Sequence, residues 1–405
     1  MRTVPLKRIV GINLHTLPET TEPSFEFRYV DIGAVGRGHL LSEPEAAVFA
    51  AAPSRARRLV RQGDTIISTV RTYLRAVWPV RDSTTDLVVS TGFAVLTPTG
   101  SIDPRYLGWL VQSDVVVEEV VARSVGVSYP AINPSDIGTV RVPLPSLANQ
   151  RAIADYLDRE TARIDALIEK YERLEELLRR RLDARISQAT CALWVGMGGP
   201  LPSDWRALPL RRCFDGVDYG IGERSEPSGR IAVLGMGNVE PRRVVGEPNG
   251  YVELLDDRLL LLPGDLLFNR TNSLALVGKV AIWFGSDQPM TFASYLVRLR
   301  TSSNADPRYL NYLLNTDEVL ALARAMALPS IGQANLNPNR YGSLRIPLPP
   351  LSAQRRLARE LEVEENKTEA LAAKLQMQVL LLAEHRQALI TAAVTGELEV
   401  PGVAA

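Results

Sequence analysis

The thiol and imidazole side chains of this sequence are too few and too scattered to form a metal site. Two cysteines occur among 405 residues, Cys191 and Cys213, and the three histidines are His15, His39 and His385. A structural zinc site needs four closely grouped Cys or His ligands, and a disulfide framework needs more cysteines than these. We therefore expect no metal ion and no disulfide framework.

Several short fragments resemble cofactor motifs, but each lacks a residue that the chemistry requires. Residues 133–136 (NPSD) and 337–340 (NPNR) resemble the Asn-Pro-Pro-aromatic motif of amino-methyltransferases without its second proline or its aromatic residue. Residues 220–222 and 235–237 lack the third glycine of a dinucleotide motif, and Ser273 replaces the first glycine of a phosphate-binding loop before Gly278-Lys279. We interpret the two Asn-Pro fragments as turns and expect no cofactor and no catalytic residues.

One stretch of the chain has a composition that could bind phosphate. Residues 55–81 contain seven arginines and a single acidic residue, Asp64. The whole chain is neutral, with 46 basic and 46 acidic residues, which argues weakly against a protein that binds nucleic acid alone. The stretch is either a local phosphate-binding face or ordinary solvated surface, and the sequence leaves both open.

The segments that would position such residues are present twice. The sequence DPRYL at 103–107 returns at 306–310, and VPLPSLANQR at 142–151 returns as IPLPPLSAQR at 346–355, with six of ten positions identical. A weaker match pairs QGD at 62–64 with PGD at 263–265. These matches have nearly the same offset and indicate an internal duplication. Its period is far longer than that of a solenoid repeat, so each copy should have its own core.

Each copy has the same order of elements: a strand-rich segment, a proline-rich hinge and a long helix. β-Branched and aromatic residues predict strands within 64–70, 87–96, 231–234 and 294–300, and short helices are expected at 103–111 and 306–314. Apolar residues then recur with helical spacing from Ala148 to about Leu193 and from Ser352 to about Val394. Helices this long cannot bury their apolar stripes inside a small domain, so we expect them to pack antiparallel.

The predicted fold class is α+β: two pseudo-symmetric globular domains, each followed by a long α-helix, with the two helices packed as an antiparallel coiled coil. The predicted segments are 1–146 and 196–349 for the globular domains, 147–195 and 350–396 for the helices, and 397–405 for a C-terminal tail. The apolar positions expected in the coiled coil are Leu157, Ile164, Tyr171, Leu178, Leu361, Leu375, Leu382 and Leu389. Without a signal-peptide pattern or an apolar run of membrane-spanning length, we expect a cytoplasmic protein.

This duplicated arrangement resembles the specificity (S) subunit of type I restriction-modification systems, the HsdS family. The resemblance rests on the duplication, on the PLPxLxxQR hinge that starts at Pro143 and Pro347, and on LITAAVTG at 389–396, a sequence with which the last helix of that family commonly ends. The first copy has a degenerate version of this ending, RISQATCA at 185–192. The resemblance covers essentially the whole chain.

The resemblance implies a DNA sequence-specificity subunit that neither catalyses a reaction nor binds a cofactor. Each globular domain would be a target recognition domain that reads one half of an asymmetric, bipartite site in double-stranded DNA, and the helix pair would fix the unread gap. Two methyltransferase (M) subunits would dock on the helices and methylate a flipped adenine in each half-site, and restriction (R) subunits would join the complex. Phosphate contacts shared with the M subunits would explain the neutral charge.

The family motifs do not identify base-reading residues, because those residues vary between members. Our candidates are polar and cationic residues in predicted loops, since arginine can read guanine and asparagine or glutamine can read adenine. They are Arg71, Tyr73, Arg75, Ser128, Tyr129 and Asn133 in the first copy, and Arg270, Thr271, Asn272, Lys279, Gln333 and Asn335 in the second. A turn before the hinge would equally explain Tyr129 and Asn133, and a surface ion pair would explain Arg270.

A function of another class is also compatible with the sequence. A coiled-coil scaffold or DNA-binding regulator could use the same duplicated domains without a methyltransferase partner, and it would bind a bipartite site alone. A stand-alone methyltransferase is disfavoured because the cofactor motif is incomplete.

Overall fold

The chain divides into two units. The structure, a computed structural model, describes residues 2–81, 86–223, 225–253 and 256–403. Unit 1 comprises residues 1–172 and 376–405, and unit 2 comprises residues 173–375. Each unit therefore contains one copy of the repeat, the first part of its own long helix and the last part of the other long helix. The domain boundaries expected from the sequence treat the helices as separate segments and stay a prediction.

Unit 1 is built on two small sheets and a terminal strand pair. Its strands are β1 (Thr3–Pro5), β2 (Val10–Ile12), β3 (Glu26–Val30), β4 (Glu45–Val48), β5 (Ala56–Leu59), β6 (Thr65–Ser68), β7 (Val77–Pro79), β8 (Leu87–Ser90), β9 (Phe93–Pro98) and β10 (Arg141–Pro143). Its helices are α1 (Pro104–Gln112), α2 (Asp114–Ala122), α3 (Pro134–Ile137) and the first part of α4 (Leu147–Thr190). The sheet orders are β2-β9-β6-β7 and β4-β3-β8-β5, and β1 pairs with β10.

Unit 2 repeats this plan with a larger main sheet. After α5 (Trp194–Met197), its strands are β11 (Arg206–Pro209), β12 (Phe214–Tyr219), β13 (Ile231–Leu234), β14 (Val239–Glu240), β15 (Arg242–Val244), β16 (Gly250–Val252), β17 (Leu266–Asn269), β18 (Thr271–Asn272), β19 (Val280–Ile282), β20 (Met290–Phe292), β21 (Leu296–Thr301), β22 (Leu328–Ser330), β23 (Gln333–Asn335) and β24 (Arg345–Leu348). Its helices are α6 (Pro307–Leu314), α7 (Asp317–Met326), α8 (Pro338–Gly342) and the first part of α9 (Leu351–Thr395). The sheet orders are β12-β21-β17-β19-β15-β14, β16-β13-β20 and β18-β23-β22, and β11 pairs with β24.

The first residue of each DPRYL motif caps the helix that follows. The carboxylate of Asp103 accepts hydrogen bonds from the backbone N–H groups of residues 105 and 106, and Asp306 accepts those of residues 308 and 309. A proline occupies the next position in each case. The aspartate satisfies N–H groups that have no partner inside the helix, and the proline loses nothing there. The predicted short helices are therefore confirmed as α1 and α6.

The tyrosine of each DPRYL motif is buried and joins three parts of its unit. The hydroxyl of Tyr106 donates to the Pro143 carbonyl at 3.3 Å, and that of Tyr309 donates to the Pro347 carbonyl at 3.2 Å. The same hydroxyls lie 3.5 Å from the carbonyls of Val394 and Thr190, at the ends of α9 and α4. Each motif thus connects the globular domain, the hinge and the end of the other repeat's helix.

The weaker third match also corresponds to one repeated turn. The carboxylate of Asp64 accepts the backbone N–H of Arg61 at 2.8 Å, and Asp265 accepts that of Leu262 at 2.9 Å. The preceding residues, Gly63 and Gly264, have φ angles of 92° and 96°, a conformation that glycine adopts without steric cost. The predicted duplication is therefore present in the backbone.

The strand predictions are correct except at residues 87–96. That segment forms two strands in different sheets, because β8 pairs with β3 and β5 whereas β9 pairs with β2 and β6. The chain changes sheet at Thr91 and Gly92. A side chain at Gly92 would clash, since an ideal Cβ there would lie 2.3 Å from Cδ1 of Ile32. The continuous apolar run concealed this corner.

The long helices pack antiparallel within each unit, as predicted. In unit 1, Asp165 of α4 pairs with Arg386 of α9 at 2.8 Å. In unit 2, Arg185 of α4 lies 3.6 Å from Glu364 of α9. As the residue number rises along α4 it falls along α9, and this order defines an antiparallel pair.

The predicted coiled-coil positions differ in how deeply their side chains are buried. Four of them are buried, namely Leu157, Ile164, Leu361 and Leu375, and four are half-buried, namely Tyr171, Leu178, Leu382 and Leu389.

The first helix ends three residues earlier than predicted, because Cys191 adopts a left-handed conformation with a φ of 52° directly after α4. The second ends at Thr395, before Gly396 with a φ of 81°.

Candidate nucleic-acid interface

A hairpin precedes the Asn-Pro turn in unit 1, and we call residues 125–131 hairpin 1. Ala131 forms β-bridges with both Val125 and Val70. The backbone N–H of Ile132 donates to the carbonyl of Thr69 at 2.9 Å. Hairpin 1 is thereby fixed beside the segment that starts at Val70.

Unit 2 has the same arrangement, formed by β22 and β23, and we call residues 328–335 hairpin 2. Asn335 pairs with Leu328 on one side and with Thr271 on the other. The backbone N–H of Leu336 donates to the carbonyl of Arg270 at 2.8 Å. Ile331 and Gly332 form the turn, where the φ of Gly332 is 72°. The two hairpins thus occupy equivalent places in the two repeats.

Arg71 presents its guanidinium beside hairpin 1. Arg71 and Arg75 flank a short 3-10 helix and both are left-handed, with φ angles of 50° and 55°. Such angles are uncommon for residues other than glycine and cost about 1 kcal/mol or more each. The guanidinium of Arg71 lies over the ring of Tyr129, 4.9 Å from its centroid. This contact orients the guanidinium while its N–H groups stay available to an acceptor such as a guanine edge or a phosphate.

Arg75 has a different environment from Arg71. Its guanidinium contacts Asp114 at 3.2 Å and Glu118 at 3.7 Å. Asp114 also binds Arg37 at 2.7 Å, and burial lowers the pKa of Arg37 even though Asp114 opposes that shift. Arg75 therefore fixes the start of α2 against the loop, and a DNA contact by its side chain stays a prediction.

The remaining candidates of unit 1 are exposed to solvent. Tyr73 and Tyr129 expose 54% and 66% of their surface, and Ser128 is exposed at the tip. Asn133 is exposed and precedes the first residue of α3, and Asn337 has the same place before α8. Each Asn-Pro fragment therefore begins a short helix, α3 or α8, where the sequence predicted a turn.

Most arginines of the 55–81 stretch contact other residues of the chain. Arg55 pairs with Asp31, Arg57 lies over Phe49, Arg58 donates to Thr16, and Arg81 pairs with Asp158. The stretch is therefore not one open phosphate-binding face. Arg71 differs from these four because its contact is with an exposed aromatic ring.

Arg270 of unit 2 is held beside hairpin 2 by several contacts. It donates to the side-chain oxygen of Asn335 at 3.2 Å and to the Ser294 carbonyl at 3.3 Å, and it lies 5.2 Å from the ring centroid of Tyr219. The Asn335 amide donates to the hydroxyl of Thr271 at 3.1 Å. Three of the six candidates in this unit therefore form one hydrogen-bonded cluster, and no residue in the described part of the chain forms an ion pair with Arg270.

The other candidates of unit 2 are less uniform. Gln333 is exposed on hairpin 2, and the side chain of Asn272 accepts the backbone N–H of Ser273 at 2.8 Å. Thr271 is buried, and Lys279 pairs with Glu240 at 3.1 Å with 12% of its side chain exposed. DNA contacts at these positions stay predictions.

Sequence reasoning missed the residues that the fold adds to these clusters. Tyr219 stacks on Arg270 although it lies more than fifty positions earlier in the chain. Val127 and Ile331 are fully exposed at the hairpin tips. Their common place before the Asn-Pro turn could have identified the tips, whereas nothing in the sequence pattern pairs Tyr219 with Arg270.

The described residues contain neither a candidate metal site nor a helix that could span a membrane. Over residues 2–81, 86–223, 225–253 and 256–403, no group of three or more His, Cys, Asp or Glu side chains could hold a metal ion. In that same part of the chain, no helix is both long enough and apolar enough to span a membrane.

The chain is similar in sequence to curated specificity subunits of type I restriction enzymes. It is 25% identical over 276 residues to the StySPI specificity subunit of Salmonella potsdam, a match that covers 66% of this chain and 59% of the relative. It is 24% identical over 286 residues to the EcoKI specificity subunit of Escherichia coli K12, covering 66% and 60%. The chain thus spans about three fifths of the length of these relatives. No protein-family model matches it.

Solved structures extend the similarity to nearly the whole chain. The HsdS subunit from Thermoanaerobacter tengcongensis is 25% identical, with a TM-score of 0.54 and coverage of 98% of this chain and 97% of that one. A chain from a structure that describes complex assembly and conformational transition of the type I R-M system is 24% identical, with a TM-score of 0.72 and 98% coverage of both chains. This second match supports the fold.

The sequence matches and the shared fold confirm the resemblance stated above. The chain is a relative of the specificity subunits of type I restriction-modification systems, the HsdS family.

Proposed function

We propose that this protein is the DNA sequence-specificity subunit of a type I restriction-modification complex and acts in the cytoplasm. Each unit reads one half of an asymmetric, bipartite target in double-stranded DNA. Methyltransferase subunits dock on α4 and α9, and restriction subunits join the assembly through them. The protein itself supplies specificity and no catalytic residue.

The observation that carries this proposal is the repeated hairpin cluster. In each unit, an arginine stacked on a tyrosine ring lies beside a hairpin that contains no acidic residue. Arginine is the side chain that most often reads a base, through two hydrogen bonds to guanine. Two such clusters whose surrounding loops differ in sequence fit an asymmetric site with two different halves.

The relatives support the proposal that this protein supplies specificity while its partner subunits supply catalysis. The curated matches are named as specificity subunits, and one structural match describes complex assembly of a type I R-M system. The chain's neutral charge also suits a subunit that shares phosphate contacts with its partners, because free energy from counterion release scales with the number of phosphates neutralised.

The test is to purify the chain alone and together with the methyltransferase subunit encoded beside it. We expect methyl transfer from S-adenosylmethionine and sequence-specific DNA binding from the complex, and neither from the chain alone. Methyl transfer by the chain alone would contradict the proposal. Tight binding of a bipartite site without a partner would instead support a DNA-binding regulator.

A further inference from the structure

Each hairpin carries an aliphatic side chain at its most exposed point. The exposed fraction is 102% for Val127 in hairpin 1 and 103% for Ile331 in hairpin 2, so neither contacts the rest of its unit appreciably. Val125 and Leu328, at the base of each hairpin, are also largely exposed. A single exposed aliphatic residue is ordinary on a protein surface. Its presence at the equivalent tip in both repeats, although the hairpin sequences differ, calls for a common cause.

The surroundings of the tips favour DNA as the molecule that covers them. Neither hairpin contains an acidic residue, so both can approach phosphates without charge repulsion. The guanidinium of Arg71 lies over Tyr129 of hairpin 1, and that of Arg270 donates to Asn335 at the base of hairpin 2, so both can contact a groove edge as the tips enter. A two-stranded β-ribbon, the form that β22 and β23 give to hairpin 2, has dimensions that fit the major groove of B-DNA. Hairpin 1 is closed by the β-bridge between Val125 and Ala131.

The chemistry of the tips then indicates what they contact. An aliphatic side chain has no hydrogen-bonding group and cannot read the donors and acceptors of guanine, cytosine or adenine. The major groove displays one apolar group, the C5 methyl of thymine. Burial of that methyl against a valine or isoleucine side chain removes apolar surface of both from water.

We propose that hairpins 1 and 2 enter the major groove of the two half-sites, and that Val127 and Ile331 each contact the C5 methyl of a thymine. The two tips are specificity-determining residues for an A·T pair, one in each half-site. This inference rests on the proposed function, because it requires that each unit read DNA.

The experiment measures binding of the complex with methyltransferase subunits to its own target, in which each thymine is replaced in turn by uracil, which lacks the methyl. For the wild-type complex, we expect one thymine in each half-site at which the replacement weakens binding by about fourfold. Val127→Ser should weaken binding by a similar factor, and it should abolish the sensitivity to uracil replacement in one half-site alone. Ile331→Ser should do the same in the other half-site. Leu41→Ser and Leu262→Ser remove exposed aliphatic side chains outside the hairpins and should not change the affinity. They should also leave unchanged the uracil profile, which is the loss of affinity at each replaced thymine.

The possible results separate this inference from the proposed function. If the wild-type complex binds no preferred sequence, the proposed function fails, and this inference fails with it. If it binds a split site but its uracil profile is flat, or the profile persists in both tip variants, the inference fails alone. A tip variant that weakens assembly with methyltransferase subunits, while the complex that still forms keeps the wild-type uracil profile, would assign the tips to a protein contact and overturn the inference.

Discussion

The side-chain oxygen of Gln150 accepts a hydrogen bond from the backbone N–H of Asp103 at 2.7 Å. In the second repeat, Gln354 accepts the N–H of Asp306, also at 2.7 Å. The amide of each glutamine donates to two backbone carbonyls, those of residues 101 and 145 in unit 1 and of residues 304 and 349 in unit 2. The glutamine of each PLPxLxxQR hinge therefore joins the hinge, the long helix and the start of the DPRYL helix.

We predict that Gln150→Ala and Gln354→Ala each destabilise their own unit. Both side chains are almost fully buried, and their removal leaves buried backbone groups without partners, which should lower the free energy of unfolding by about 2–4 kcal/mol. Urea unfolding followed by circular dichroism measures the change. Gln378→Ala, which truncates an exposed glutamine of α9, is the control. Equal midpoints for all three variants would show that these hydrogen bonds do not stabilise the hinge.

We predict that Arg71 and Tyr129 act together in DNA recognition. Arg71→Ala should weaken specific binding by the assembled complex about tenfold to a hundredfold and relax the sequence preference in one half-site. Tyr129→Ala should also weaken binding and relax the preference, in part because Arg71 loses the ring that orients its guanidinium. Tyr129→Phe keeps the ring beneath the guanidinium and should have little effect.

The measurement is the affinity of the complex for its target, made for Arg71→Ala, Tyr129→Ala and the double variant. Together these affinities give the coupling free energy between the two side chains. Arg61→Ala removes another exposed arginine of the same unit and should weaken binding only as the loss of a nonspecific charge does. Independent effects of Arg71→Ala and Tyr129→Ala would contradict the stacked arrangement.

Two buried tyrosines of unit 2 should respond in opposite ways to loss of the hydroxyl. The Tyr341 hydroxyl has no hydrogen-bond partner among the described residues. The Tyr341 ring stacks on that of Phe268, with the two ring centroids 4.4 Å apart. Tyr341→Phe should therefore raise stability by about 1 kcal/mol. Tyr309→Phe should lower it, because the Tyr309 hydroxyl donates to the Pro347 carbonyl. Urea unfolding at pH 8 compares the two, and equal destabilisation by both would contradict the assignment.

Burial also predicts how stability changes at alkaline pH. Burial raises the pKa of Tyr341 above that of a tyrosine in the unfolded chain, so the folded state keeps a proton that the unfolded state loses. This contribution to stability is complete below a pH of about 10 and decreases as the pH rises further. Between pH 9 and pH 11, the unfolding free energy of Tyr341→Phe should therefore fall less than that of the native chain, by the effect of about one proton. An unchanged slope would show that Tyr341 does not contribute.

If α4 and α9 set the gap between the half-sites, their length should determine it. Insertion of four helical residues into each helix adds about 6 Å at ~1.5 Å per residue, which is comparable to two base pairs. Because the helices are antiparallel partners within each unit, matched insertions in both are needed. The measurement is the gap in the methylated motif, which should widen. An unchanged gap would mean that the helices do not set this distance.

The architectural part of this protein could be predicted from the sequence because its determinants are local or repeated. The aspartate cap, the glycine turn after residue 62 and the apolar stripe of each helix depend on residue types at short spacing, so DPRYL and QGD were informative without a structure. The antiparallel packing followed from helix length. These parts recur in both repeats because the same hydrogen bonds recur.

The candidate interface was less predictable because it depends on distant pairings. Hairpin 1 is placed by the bridge between Val70 and Ala131, and Arg75 is occupied by Asp114. Neither relationship has a signature in the sequence. The sequence predicts the same role for Arg71 and Arg75, and only their three-dimensional neighbours distinguish them. Arg71 lies over an exposed tyrosine ring, whereas Arg75 pairs with an aspartate at the start of α2.

The proposed function requires that this protein direct methylation to a split DNA sequence. We would test this claim by single-molecule sequencing of N6-methyladenine across the genome of a host that expresses the chain with its neighbouring methyltransferase subunit. We expect one motif with two different half-sites and a fixed gap, and its loss when this chain is omitted. Methylation at a continuous motif, or methylation that persists without this chain, would contradict the claim.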